Sequence, residues 1–248
     1  MPRCAILIAH GSPSDPDPQE QAMQALAEKV QTLLPGWQIR GATLAAPGRF
    51  DAALNGLDHP LIYPFFMAQG YFTNRVLAPK TTALGLTQLP PLGVETGLAD
   101  VAESRLRATL TDRGWQAQDT ALLMAAHGSA VSRTSADSTH AMERELARRL
   151  PFRTTRAGFI EEPPFVHDQA RDLGQAICLS YFALEAGHVL DDLPNALTAA
   201  GFNGAVLPPM IHWPETPGLI ANSLTKQGTE TVTVSCPSDQ NRSNRRRK

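Results

Sequence analysis

Apolar and polar positions alternate along this chain in blocks. Apolar runs at residues 4–9, 39–44, 61–67 and, more weakly, 92–98 are followed by a second series at 121–126, 155–160, 176–183 and 205–211. Near-continuous apolar runs of this length predict strands buried on both faces. Between them lie stretches with helical spacing, at 19–34, 101–112, 136–150, 168–174, 192–200 and 216–226. The clearest is 136–150, where Met142, Leu146 and Leu150 form an i, i+4, i+8 stripe. Thr134 or Ser135 is expected to cap it, and Pro151 to end it. Strands alternating with helices predict an α/β fold with mostly parallel sheets.

The pattern also repeats. Ile8-Ala9-His10-Gly11-Ser12 returns as Ala125-Ala126-His127-Gly128-Ser129, a shift of 127 − 10 = 117 positions. The same shift places Pro47 on Pro164, Ile62 on Leu179, Phe65 on Phe182 and Gly70 on Gly187. A repeat of this length predicts two copies of one small domain. The expected boundaries are 1–115 and 119–227, with a polar turn at 114–119 between them. A polar tail, 228–248, ends in basic residues and reads as disordered. In this register Glu161 faces Leu44, Glu162 faces Ala45 and His188 faces Tyr71. The second copy therefore carries a polar, metal-competent set that the first lacks.

Composition narrows the function. The chain has 248 residues and is 42% hydrophobic, enough for a packed core. A formal net charge of −2 gives no electrostatic case for nucleic acid. Three cysteines are odd in number and widely spaced, which points to a reducing compartment rather than a disulfide framework. The apolar run at the start is about seven residues, short for a signal sequence and far below the roughly 20 that span a bilayer. The expectation is a cytoplasmic protein without membrane partners and, as a fused pair, a monomer.

The residues with chemistry fall at strand ends. Each His-Gly-Ser turn follows an apolar run, so His10 and His127 sit at the C-terminal edge of a strand, where open α/β sheets bind ligands. His188 follows the run 176–183, and Glu161 follows 155–160. His127, Glu161 and His188 thus reach one rim, and two imidazoles with a carboxylate suit a divalent transition metal. The bland alternative makes Glu161 and Glu162 a solvated turn and His188 a helix cap. His59, His140 and His167 read as surface residues, while His212 stands open between core and cleft.

These residues resemble a known family. The strand-His-Gly-Ser opening, the Phe-Ile-Glu strand end and the Gly-His-Val-Leu-Asp-Asp-Leu-Pro motif at 187–194 look like class II tetrapyrrole chelatases. Most similar are the sirohydrochlorin chelatases of the CbiX type. The similarity covers roughly 3–226 in two copies. It implies two similar chelatase-like domains, each a parallel sheet flanked by helices, facing across a cleft. It also implies insertion of cobalt or ferrous iron, with nickel possible, into sirohydrochlorin in cobalamin or siroheme biosynthesis. The metal is then a substrate, and no organic cofactor is implied. By motif match, His127, His188 and Glu161 are the catalytic residues and metal ligands. Substrate binding is expected at His10, Tyr71, Arg75 and Arg133, since a ring bearing many carboxylates needs cationic partners. For each arginine alone, a solvated surface position is the bland reading. The functional alternative is a metal or tetrapyrrole carrier using the same cleft without turnover. A histidine-phosphatase reading is disfavoured, because Ala9 and Ala126 stand where an arginine is wanted.

Overall fold

The computed structural model describes residues 3–129 and 132–230; the tail beyond Glu230 lies outside the described residues. The first half runs β1 (Arg3–Ala9), α1 (Asp17–Leu33), β2 (Trp37–Thr43), α2 (Arg49–Leu54) and β3 (Leu61–Pro64). A π-helical segment, Phe72–Leu77, then leads into α3 (Ala78–Ala83), a 3-10 turn at Leu92–Val94 and α4 (Leu98–Arg113). The second half repeats this order with β4 (Ala121–Ala126), α5 (Thr134–Arg149), β5 (Thr154–Phe159), α6 (Val166–Gln169) and β6 (Ala176–Ser180). A second π-helical segment, His188–Asp192, enters α7 (Leu193–Ala199), followed by β7 (Ala205–Leu207), a 3-10 turn at Met210–His212 and α8 (Thr216–Glu230). The strands form two parallel sheets, ordered β2-β1-β3 and β5-β4-β6-β7. Among the described residues no helix is long and apolar enough to cross a membrane.

The period-2 geometry of the central strands divides the core. In β1, Ala5, Leu7 and Ala9 face a core shared by both halves, while Ile6 and Ile8 face an outer cluster with Phe50 and Leu77. In β4, Leu122, Met124 and Ala126 face the shared core, and Ala121, Leu123 and Ala125 face an outer cluster with Leu193 and Leu197. Helices α1, α4, α5 and α8 contribute to the shared core, with α4 against α5 and α8 against α1. The closing helix of each half therefore packs on the opening helix of the other. Arg149 of α5 ties this seam to α4, reaching Asp100 at 2.5 Å and Glu103 at 3.2 Å.

Several expected elements differ. The strand expected at 92–98 is replaced by a 3-10 turn, and the first sheet gains only an isolated bridge between Ile62 and Gln88. Pro90 and Pro91 follow after Leu89, and a residue without an N–H cannot extend a ladder. The same chemistry stops β7 at Leu207, before Pro208 and Pro209. Helix α5 includes Thr134 and Ser135 instead of being capped by them; Arg133 occupies the N-cap with no side-chain bond. Helix α8 continues past residue 226 to Glu230.

Backbone pairing also corrects the repeat register. Ala9 pairs with Thr43 and Ala126 with Phe159. The first pair of equivalents is 126 − 9 = 117 apart, but the second is 159 − 43 = 116 apart. The copies thus differ by one residue between their first and second strands. The offset of 116 holds through the third strand: Ile6 pairs with Ile62 and Leu123 with Cys178. Arg40 donates to the carbonyls of Ala53 and Asn55, and Arg156 to those of Gln169 and Arg171, each 116 later. Both π-helical segments open alike, Asn74 N–H to Gly70 O and Leu190 N–H to Ala186 O. Glu161 therefore stands opposite Ala45, Glu162 opposite Ala46 and His188 opposite Phe72. The matches at Pro47 and Gly70 are coincidences of residue type that the hydrogen bonds do not follow.

Candidate metal centre

The site forms where β4, β5 and β6 end. His127 leaves β4 in a turn that only glycine permits at the next position. Gly128 has φ +72°, and a Cβ there would lie 2.8 Å from Phe159 Cβ and 2.9 Å from Glu162 Cγ. Gly11 repeats this in the first half, with φ +79° and Thr43 Cβ at 2.8 Å. The Glu161 N–H donates to the His127 carbonyl at 2.9 Å, so the second strand end is tied to the first. The π-helical opening at Gly187 then turns His188 onto the same rim. π-Helical turns are rare and concentrate at functional sites.

The three predicted residues come together. One ligand atom from each of His127, Glu161 and His188 lies within 4.8 Å of the others. The imidazoles meet edge to face with centroids 4.4 Å apart, and His188 Nε2 is 3.7 Å from Glu161 Oε1. Donors sharing one tetrahedral ion at about 2.1 Å each stand roughly 3.4 Å apart, so closure on the order of 1 Å would let the three share a metal. All three side chains are open to solvent or half-exposed, which leaves the ion's remaining positions accessible.

Each imidazole is also held from behind. His127 Nδ1 lies 2.9 Å from the Gly128 carbonyl, and His188 Nδ1 lies 2.7 Å from Asp192 Oδ2. A proton on Nδ1 in each ring leaves the Nε2 lone pair for a metal or a proton, the outer-shell arrangement seen in metal sites. Sequence reasoning missed Asp192 as a partner. Its signal was the i, i+4 spacing from His188 within the motif at 187–194. Glu162 plays a different part: its Oε1 accepts the Ser129 N–H at 2.8 Å and braces the His127 turn.

The first half presents an apolar counterpart. His10 stacks on Phe72 at 3.8 Å between centroids, and Phe72 also meets Phe66 and Tyr71. Burial holds the His10 imidazole below its ordinary pKa, and its buried Nδ1 has no hydrogen-bond partner. Tyr71 is 61% exposed, beside this stack rather than in the histidine-equivalent place. Arg75 and Arg133 are both exposed, as a solvated surface position also requires. His59, His140 and His167 lie outside the rim cluster, each beside a neighbouring acid. His212 pairs with Glu185 at 2.9 Å.

Two halves of parallel sheet joined through a shared helical core match the fold of solved chelatase structures. The family model described as CbiX matches residues 121–212. The structure of CbiX, the terminal enzyme for biosynthesis of siroheme in denitrifying bacteria, is 44% identical over 90% of this chain and 99% of its own, with a TM-score of 0.82. This chain belongs to the CbiX family. SirB from Bacillus subtilis with Fe3+ shares the fold at 12% identity, over 94% of this chain and 98% of that one, with a TM-score of 0.73. SirB from Bacillus subtilis subspecies spizizenii with cobalt does so at 13% identity, over the same shares, with a TM-score of 0.67. No curated protein matches the chain.

Proposed function

We propose that this protein is a sirohydrochlorin metal chelatase, inserting cobalt or ferrous iron into the macrocycle, and that His127, Glu161 and His188 hold the incoming ion. The observation that carries the site is the convergence of these three donors with both Nδ1 atoms already engaged. Membership of the CbiX family carries the reaction. Nickel suits the same donors, and family membership does not choose among the three ions.

Insertion exchanges M2+ for two pyrrole N–H protons, so the site must deliver one ion and remove two protons. Nε2 of His127 and the Glu161 carboxylate offer basic lone pairs on the same rim. As the pyrrole nitrogens take over the ion, His127 and Glu161 become free to carry the two protons to solvent. The exposure of the trio lets a large ring approach from the open side. His10, Phe72 and Tyr71 supply the apolar wall for its face, and Arg75 and Arg133 partners for its carboxylates.

The test is insertion of Co2+ into sirohydrochlorin, followed by the macrocycle's absorbance. Wild-type protein is expected to exceed the spontaneous rate, and His127→Ala to lose at least ~100-fold, as removal of a general base does. Wild-type protein that binds metal and macrocycle without exceeding the spontaneous rate would instead be a carrier.

A further inference from the structure

The loop between β6 and His188 is fastened at one residue. The Glu185 carboxylate meets His212 Nε2 at 2.9 Å, while its carbonyl accepts Gln19 Nε2 from the first half at 3.3 Å. Gln19 is 6% exposed, so this second fastening is partly buried. Directly after Glu185, the Ala186 carbonyl accepts the N–H groups of Val189 and Leu190, which starts the π-helical turn carrying His188. His212 is itself fixed. Its 3-10 turn is bound to the same loop through Met210 N–H to Phe182 O and Ile211 N–H to Ala183 O. The buried Trp213 beside it donates to the Pro208 carbonyl.

Among the described residues the first-half loop has a cross-half bond, Ser138 Oγ to the Met67 carbonyl at 2.8 Å, but no ion pair equivalent to Glu185 and His212. The offset of 116 puts Gln69 in the place of Glu185. Equivalent turn bonds, Val94 N–H to Pro91 O and His212 N–H to Pro209 O, put Val94 in the place of His212. The half with Gln69 and Val94 also has Phe72 where a metal-ligating histidine would stand. Among the described residues, only the half with the donor trio has this ion pair behind its loop.

We propose that His212 and Glu185, backed by Gln19, are positioning residues that set the place of His188. The inference rests on the reading of His188 as a metal ligand. Neither His212 nor Glu185 touches the ion; together they fix the start of the turn from which His188 projects. Because Gln19 belongs to the first half, the latch also makes ligand placement depend on how the two halves sit together.

The experiment titrates wild type, His127→Ala, His212→Ala, Glu185→Ala and the double alanine variant with Co2+, reading the visible absorption of the bound ion, alongside insertion kinetics and thermal melting. His212→Ala is expected to weaken Co2+ by about tenfold, the lower end for groups acting behind a ligand. It should raise the metal KM more than it lowers kcat, with melting close to that of wild type. The double variant should be no worse than either single variant. His212→Gln, which keeps a donor toward Glu185, should recover most of the affinity. If His127→Ala loses Co2+ but His212→Ala binds as wild type does, the latch is overturned and the metal centre stands. If His127→Ala binds as wild type does, the metal centre is overturned and the latch with it.

Discussion

At the scale of single residues, the two strand-end histidines show how neighbours decide chemistry. His127 has its Nδ1 at a carbonyl and its ring against another imidazole; His10 has a buried, unpartnered Nδ1 and a phenyl ring against it. Burial therefore favours the neutral form of His10. As pH falls through about 6.5, the unfolded chain takes up a proton that folded His10 resists. The stability its neutral ring supplies is complete above that value and declines as pH drops toward the lowered folded pKa. His10→Phe keeps a ring on Phe72 and removes the titration, so urea unfolding between pH 7.5 and 5.5 should show the variant losing less stability than wild type. Equal losses would mean that His10 protonates as freely when folded as when unfolded. The trio at the second rim was legible in the sequence because each member ends or closely follows an apolar run. Asp192 was legible only through its i, i+4 spacing from His188, since the π-helical turn that carries the pair is not signalled by hydrophobic spacing. The pairing of His212 with Glu185 was hidden, because the two residues are brought together by separate connections of one sheet.

At the scale of elements, the strand pattern was readable wherever both faces are buried, as in β1 and β4. It failed where proline removes a donor, at residues 92–98 and at the end of β7. The repeat was visible as identities, yet its register was not, because one residue of offset vanishes between the first two strands. Register is a property of hydrogen bonds, and identical residues can be aligned without sharing them. The corrected offset makes a sharp prediction. Ala45→Glu with Phe72→His should place the missing donors beside His10 and raise Co2+ bound per chain from one toward two, measured by equilibrium dialysis. Leu44→Glu with Tyr71→His, the pair suggested by identities alone, should leave it at one. A second equivalent bound by the latter pair would restore the offset of 117.

At the scale of the whole molecule, the two copies are separable in sequence but share their largest core. Helix α4 ends the first half and packs against α5, while α8 ends the second and packs against α1. At 114–119 Gly114 closes α4 and a 3-10 turn spans Ala117–Asp119, while Trp115 and Ala117 pack against the shared core. A cut there would pass between helices that cover one another. Leu98 and Leu106 of α4, with Ile220 and Leu224 of α8, all belong to the shared core. Exposing side chains of this size forfeits about 2 kcal/mol each, and four of them approach the roughly 5–15 kcal/mol that holds a whole domain together. We therefore propose that the halves are structural repeats rather than independent folding units. Residues 1–115 and 119–230 expressed separately should show no cooperative urea transition, and mixing them should restore one, with Co2+ binding returning only in the mixture. A cooperative transition in the second fragment alone would show that its own outer core is sufficient. Folding of the second half would then not need the first, and any influence of the first half on ligand placement would pass through contacts such as Gln19 to the Glu185 carbonyl, Ser138 to the Met67 carbonyl and Arg149 to Asp100.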